Sequence, residues 1–385
     1  MQYLLNKIKG DKIIWLVVII LSVFSLLAVY SSTGTLAYKY QGGNTEYYMI
    51  KHFIIIVLGL FLMYLAHLVK YTYFSRIFQI ALWIAVPLLL LTLFFGLNLN
   101  EARRVLPLPF GLTFQTSDLA KLTLIMYLAR MLTKRQNVIK DFKSAFLPIV
   151  IPVLIVCFLI LPANFSTAAI LFTTSLVLMF IGRVSLKHIF SMIGIGIVIL
   201  FFMVLIAKSY PNLLPRVGTW INRVENFSSP DADENYQVEQ AKIAIASGGI
   251  FGKMPGNSEQ RNFLPHPYSD FIFAIIIEEY GLFGGFLIVF LYLILLFRAV
   301  KIVAKVPRNF GAFLTIGVAF SLVFQAMINM AVAVNLLPVT GQTLPFVSMG
   351  GTSLWFTSIS IGIILSVSKE VEKNTETHAG ELQTA

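Results

Sequence analysis

The fold class this sequence predicts is an all-α, polytopic integral membrane protein with about ten transmembrane helices. Three observations carry that reading. Of the 385 residues, 57% are hydrophobic and only 12% charged, with a mean hydropathy of +0.82. Such a chain has too few polar residues to clothe a water-soluble globule. Its apolar residues fall into runs close to the ~20 that a helix needs to cross a bilayer. Lys and Arg gather in alternate gaps between those runs, the asymmetry that orients membrane helices.

The first run, 13–31, follows Lys7, Lys9 and Lys12. This start resembles the basic region of a signal peptide, but the run is long and no small-residue cleavage site follows. It therefore reads as a retained span. The remaining spans are expected at 52–69, 77–97, 116–132, 145–161, 165–182, 189–208, 271–297, 310–332 and 351–368. Segment 98–115 contains Pro107, Pro109 and Gly111, which leaves it able to re-enter the membrane without crossing it. The lone Cys157 lies in an apolar run, so an internal disulfide and a thiolate metal cluster are excluded.

With the N-terminus in the cytoplasm, one set of loops collects Lys7, Lys9 and Lys12, then Lys70 and Arg76, then Arg130, Lys134, Arg135, Lys140 and Lys143. Arg183 and Lys187, the group Arg298, Lys301, Lys305 and Arg308, and finally Lys369 and Lys373 fall on the same side. Both termini are then cytoplasmic, and 209–270 is a large extracytoplasmic loop between helices seven and eight. Residues 1–368 form a single transmembrane domain. Residues 369–385 are a short polar cytoplasmic tail, expected to be disordered. The net charge of +11 is accounted for by basic loops beside anionic lipid and calls for no nucleic acid.

The outer side gathers the polar chemistry. Asp270 stands where the long loop meets the eighth span, and a carboxylate presented at a membrane boundary is a functional candidate. The competing reading is a helix cap, for which Ser269 and Asp270 are both suited. Glu101, Arg103 and Arg104 lie between the third and fourth spans. The long loop adds Arg216, Arg223, Glu225, Asp231, Asp233, Glu234, Lys242 and others, and the loop before the last span adds Ser348, Gly350 and Gly351. Mixed charges and glycines around one mouth suit a large anionic headgroup whose lipid tail stays in the bilayer. For any single charge, a solvated surface is the competing reading. Within the spans, Asp118 and Lys121 share a helix face and can neutralise one another. On a helix projected from Asp270, Glu278 stands about 80° round, deeper in the same direction. Gln325 and Asn329, four apart, suit hydrogen bonding between helices. The sequence holds no GxxxxGK[ST], HExxH or GxSxG motif and no clustered histidines, so nucleotide hydrolysis within the chain is not expected.

Three blocks carry a resemblance: EARRVLPLPFGLTFQTSDLAKL (101–122), AIASGGIFGKMPGNSEQRNFLPHPYSDFIFAIIIEEYGLFGG (244–285) and QAMINMAVAVNLLPVTGQTLPFVSMGGTSL (325–354). In that order, and over essentially the whole chain, the sequence resembles the shape, elongation, division and sporulation (SEDS) family. It is more similar to the division-type members than to the elongation type. It departs from the family pattern at His266 and Tyr268 before the aspartate, at Asn164 and Ser166, at Thr340, and at Val105 after the arginine pair. The resemblance implies a peptidoglycan glycosyltransferase that polymerises lipid II, a lipid-linked disaccharide-pentapeptide, into β-linked glycan at the outer face of the bacterial cytoplasmic membrane. Its implied partners are lipid II, the growing glycan, a class B penicillin-binding transpeptidase, other division proteins and membrane lipid. Asp270 matches the catalytic position and would take the proton from the attacking hydroxyl. Arg103, Arg104, Lys121 and Lys242, or a divalent ion such as Mg or Mn, would answer the departing diphosphate. Glu278, Ser348, Gly350 and Gly351 complete the expected substrate-binding set. A lipid-carrier flippase, an elongation-type polymerase and a non-catalytic scaffold are the alternatives.

Overall fold

The structure is a computed structural model that describes residues 9–99, 102–108, 112–210, 215–228 and 236–384. Its helices in chain order are α1 (Lys12–Ser32), α2 (Gly34–Gln41), α3 (Thr45–Leu68), α4 (Tyr71–Phe95), α5 (Thr116–Lys134), α6 (Leu147–Ile160) and α7 (Phe165–Ile181). They continue with α8 (Leu186–Ser209), α9 (Pro215–Ser228), α10 (Tyr236–Gly248), α11 (Ile272–Val303), α12 (Asn309–Ala333) and α13 (Thr352–Thr384). Each expected span coincides with one of these helices. Among the described residues, 8 helices are long and apolar enough to cross a membrane, with Phe165–Ile181 a shorter apolar one. The remaining span, α5, is made too polar to qualify by Asp118, Lys121 and Arg130 within one stretch.

Helix starts are fixed by side chains that accept from otherwise unpaired N–H groups. Asp11 caps α1 through Ile13 and Ile14, Asn44 caps α3 through Tyr47, and Asn164 caps α7 through Thr167. The core lies between α5, α11, α12 and α13. The apolar windows of α12 and α13 are 67% and 72% buried, against 17% for α8, so α8 is peripheral.

The two ends of the bundle differ in chemistry. At one end the Gly10 N–H donates to Glu372, Arg298 pairs with Asp11 at 2.6 Å, and Lys70 pairs with Glu370 at 3.4 Å. This is the end that carries the basic loops. At the other end lie 97–99, 102–108, 112–115, 161–164, α9, α10 and the loop 335–351, joined by the bonds described below.

Four expectations change. Segment 98–115 is not a bare re-entrant stretch: β1 (Leu97–Leu99), β2 (Ala102–Leu108) and β3 (Leu112–Gln115) form an antiparallel sheet in the order β1-β2-β3, pairing Val105 with both Leu97 and Gln115. Backbone pairing across short strands satisfies N–H and C=O groups that a lone loop could not. The 209–270 segment contains two helices, α9 and α10. The polar tail is helical to Thr384, its first turns held by Lys70–Glu370 and Gly10–Glu372 contacts. Finally, α11 is two helices joined at Gly281 (φ 69, ψ −172). A Cβ at Gly281 would lie 2.1 Å from the Ile250 carbonyl oxygen, so only glycine fits.

The backbone groups freed by that break are taken up by the chain leaving α10. Lys253 N donates to Glu278 O at 2.9 Å, Leu282 N to Gly249 O at 2.9 Å, and Phe283 N to Ile250 O at 3.4 Å. Non-helical backbone at membrane depth is tolerated where protein supplies its partners. Gly284 and Gly285 face Tyr280 and Ile277 of the same helix, which a notional Cβ would approach to 2.4 and 2.9 Å.

Candidate active site

Asp270 sits in the turn just ahead of α11 and is only partly exposed. Its Oδ1 accepts from Ser269 Oγ at 2.9 Å, and Oδ2 faces the backbone of Gly341, where a Cβ would stand 3.6 Å away. Gly341 has φ +66, so glycine both permits the turn and leaves room beside the carboxylate. Burial pushes the Asp270 carboxyl above the usual range. The Ser269 hydrogen bond and the positive charges of His266 and Arg223 oppose that rise without cancelling it. The adjacent Tyr268 hydroxyl is also held up, first by burial and then by the Asp270 charge.

The turn is pinned from below by α12 and the loop 335–351. Asn329 Nδ2 donates to the Asp270 carbonyl at 2.9 Å and to the Gln342 carbonyl at 2.7 Å. Ser348 Oγ donates to the Ser269 carbonyl at 2.6 Å and accepts from Leu344 N at 2.8 Å, while Met349 N donates to Tyr268 O at 3.0 Å. Beneath this, Ser25 Oγ donates to the Val347 carbonyl at 2.8 Å and contacts His52 Nε2 at 2.7 Å. Tyr292 donates to Pro345 O. Between these clamps Phe346 is held at φ 69. Such a conformation costs a bulky side chain ~1–3 kcal/mol and persists only when its surroundings over-determine it.

The same loop reaches the α6–α7 turn. Gln342 Nε2 donates to Asn164 Oδ1 at 3.2 Å and Thr167 Oγ1 at 3.1 Å. Ser166 Oγ donates to Thr340 O at 3.2 Å, and Arg223 of α9 donates to Val339 O at 2.9 Å. On the far side of that turn, Arg104 Nε donates to Ala163 O at 3.0 Å and Arg103 donates to Phe94 O. Both arginines line a cleft with Gln115, Thr116, Ser117 and Asn164. The Asp270 backbone carbonyl is therefore linked through Asn329, Gln342 and Asn164 to the turn whose Ala163 carbonyl holds Arg104.

The other expected substrate-binding residues do not converge on this mouth. Glu278 is fully buried and accepts from Lys253 Nζ at 3.1 Å, from Ser258 Oγ, and from the N–H groups of Glu259 and Gln260. Because α11 starts only at Ile272, a helical projection from Asp270 does not apply. Glu278 instead ties the 253–260 loop to the helix break. Ser348 is buried and spent on positioning Ser269. Lys121 bridges Asp118 at 3.5 Å and Gln325 Oε1 at 2.8 Å, while Gln325 Nε2 donates to Thr343 O at 3.0 Å. It braces the loop from inside the bundle. Lys242 is exposed on α10. Gly350 and Gly351 stand at the loop's exit into α13, Gly351 with φ +54 and open space around it. Glu101, Asp231, Asp233 and Glu234 lie outside the described residues, and Glu225 is exposed on α9.

Sequence reasoning gathered Arg223 among the charges of the outer mouth without giving it a role in the site, and placed Asn329 only as glue between helices. One signal was available: Arg216 and Arg223 are seven apart and share a face of α9. Among the described residues no three His, Cys, Asp or Glu side chains come together.

Comparison with known proteins decides the family. The model of the cell cycle protein family that groups FtsW, RodA and SpoVE matches residues 11–373. The chain belongs to this family. It is 30% identical over 369 residues to stage V sporulation protein E of Bacillus subtilis, covering 94% of this chain and 98% of that one. It is 32% identical over 369 residues to a probable peptidoglycan glycosyltransferase FtsW of Coxiella burnetii, covering 93% and 96%. Among solved structures, rod shape determining protein RodA of Thermus thermophilus aligns with TM-score 0.67 at 22% identity, covering 95% and 98%. A chain of a peptidoglycan synthase complex that coordinates polymerization and crosslinking aligns with TM-score 0.70 at 24% identity, covering 94% and 98%. At these identities the structural likeness speaks for the fold.

Proposed function

We propose that this chain is a peptidoglycan glycosyltransferase that extends glycan from lipid II at the outer face of a bacterial cytoplasmic membrane, with Asp270 as general base. The observation that carries the reading is the bridge between a braced carboxylate and an arginine-lined cleft across one polar turn. An acceptor hydroxyl is a weak nucleophile at neutral pH, so it needs a carboxylate to take its proton as it attacks the anomeric carbon. A base works best with a pKa nearer the working pH, and burial moves Asp270 in that direction. The leaving diphosphate is already a good leaving group and needs positive charge rather than a second carboxylic acid. Arg103 and Arg104 supply it, and a guanidinium grips phosphate oxygens through a planar fork that lysine lacks. Attack opposite the diphosphate inverts the centre and gives a β-linked strand.

The basic residues at the opposite end of the bundle support a cytoplasmic placement for both termini, with Asp270 outside. Similarity to FtsW and SpoVE relatives favours division-type wall synthesis over elongation, with a class B transpeptidase as partner. A transport reading leans on Asp118 and Lys121 inside a span, but Lys121 is engaged in bracing the catalytic loop. The test is polymerisation of lipid II by the purified protein with and without its cognate transpeptidase. Glycan chains that lengthen with time and increase with the partner support the proposal. Substrate crossing the bilayer with no polymer formed would support transport instead.

A further inference from the structure

A cavity of about 720 Å³ opens at the basic end of the bundle, away from the arginine cleft. The start of α1, the end of α11 and the α13 turn at 368–372 form its walls. They carry Lys12, Arg298, Lys301 and Lys305 against two carboxylates, Asp11 and Glu372. Both carboxylates are engaged within the protein. Asp11 is buried, caps α1 through Ile13 and Ile14, and holds Arg298 at 2.6 Å. Glu372 accepts from the Gly10 N–H at 2.7 Å. These contacts tie the three walls together and leave the positive charge uncancelled. Lys12, Lys301 and Lys305 are exposed, and among the described residues none of them pairs with a carboxylate. Lys12 opens α1, where the helix dipole works against a cation, so an anion beside it relieves a local conflict. Lys301 Nζ lies over the Phe297 ring, 4.7 Å from its centroid. Its charge is thus turned back along α11 towards the apolar band.

We propose that this cavity binds the phosphate headgroup of an anionic phospholipid from the membrane leaflet on the basic side. The lysines alone would suit any phosphate; the side chains next to them point to a lipid. Leu293, Phe297 and Lys301 are spaced by four and share one face of α11, with Lys305 just past its end. Leu293 and Phe297 are exposed, and so are Ile13 and Leu16 on α1, directly after Lys12. Each helix therefore presents apolar surface for an acyl chain and then a cation at the depth where that lipid's phosphate stands. Basic pockets between membrane helices on this side are suited to such headgroups. A phosphate held there draws together the ends of α1 and α11 through their lysines, so the lipid should also stabilise the fold by mass action. The proposal shares with the reading above only the orientation of the bundle. Its readout is lipid binding, so its failure leaves the polymerase reading standing, and loss of that reading leaves the lipid site standing.

The experiment titrates the full-length protein in neutral detergent with phosphatidylglycerol and, separately, with phosphatidylethanolamine, and counts bound lipid by native mass spectrometry. Wild type should hold phosphatidylglycerol at least ~10-fold more tightly, since each lysine near the headgroup adds to the attraction. Lys12→Gln/Lys301→Gln/Lys305→Gln should lose that preference. The control Lys134→Gln/Lys140→Gln/Lys143→Gln removes the same charge from another basic loop and should bind as wild type does. Equal loss in both triple variants would make the preference a matter of overall charge and overturn the site. A second measurement needs no variant: phosphatidylglycerol with a diazirine near the start of an acyl chain is photolysed on the wild-type protein. Labelling concentrated in 12–16 and 293–301 is expected, and labelling spread over the helices without enrichment there contradicts the proposal. Displacement of the label by millimolar inorganic pyrophosphate would assign the cavity to a soluble phosphate and overturn the lipid assignment.

Discussion

Replacing Asn329 with alanine should disable catalysis without unfolding the protein. Asn329 is 1% exposed, and its amide donates at 2.9 Å to the Asp270 carbonyl and at 2.7 Å to the Gln342 carbonyl. Alanine removes both donors and leaves two carbonyls at the floor of the site short of a partner. Each unmade buried bond costs ~1–3 kcal/mol, so the assembled geometry loses on the order of 2–4 kcal/mol, reduced where a water fills the gap. Every ~1.4 kcal/mol lost from transition-state positioning is about tenfold in rate, which gives an expected fall in kcat of roughly 30-fold or more. On the proposed reading Arg103 and Arg104 hold the headgroup, so KM should move little. The assay is steady-state lipid II polymerisation in the transpeptidase complex, with thermal unfolding measured beside it. Asn329→Asp, which keeps the shape but not the donors at neutral pH, should be at least as slow. Wild-type kcat in Asn329→Ala, or a loss of activity matched by loss of folded protein, would refute the positioning argument.

Three further outcomes follow from the structure. The carboxyl of Asp270 is held above its usual range by burial, and a general base acts only when ionised, so activity should fall as pH drops through a point above the usual carboxylate range. Arg223→Ala removes a stabilising cation and should move that acid limb to higher pH; a shift downward would contradict the assigned electrostatics. Gly281→Ala places a Cβ 2.1 Å from the Ile250 carbonyl oxygen at φ +69, so the yield of folded protein should collapse, whereas Gly249→Ala, with open space around it but the same backbone sign, should cost only ~1 kcal/mol. A cysteine replacing Asn257 should react with an impermeant thiol reagent from outside the cell and one replacing Gln136 should not; the reverse would place Asp270 in the wrong compartment.

The spans were legible because crossing a bilayer imposes a length and a composition that single runs display. Even α5 was found, since its Asp118 and Lys121 are spaced to pair. What was not legible depended on distant partners. The break at Gly281 lies in an apolar run with two more glycines nearby, and it is set by the Ile250 carbonyl and the N–H of Lys253, contributed by the chain after α10. The sheet at 97–115 is built from strands too short and too mixed in pattern to declare themselves, and its register emerges only on pairing. Glu278 looked available because a helix was projected back to Asp270, whereas the turn at 269–271 ends that geometry. Ser348 read as a mouth residue because a serine in a glycine-rich loop gives no sign of facing inward. Asp270 itself was legible from its place where a long polar segment meets an apolar span, but the brace of Asn329, Ser348 and Gln342 around it was not.

The most direct test of the central claim is polymerisation of lipid II by the Asp270→Asn protein in complex with its cognate transpeptidase, at matched amounts of folded complex. Asparagine keeps the size of the side chain, the Ser269 contact and the backbone bond to Asn329, and removes only the ability to take a proton. The account predicts a fall in glycan synthesis of at least ~100-fold, the lower scale for loss of a general base, with lipid II still bound. Glycan synthesis near the wild-type rate in Asp270→Asn would contradict it.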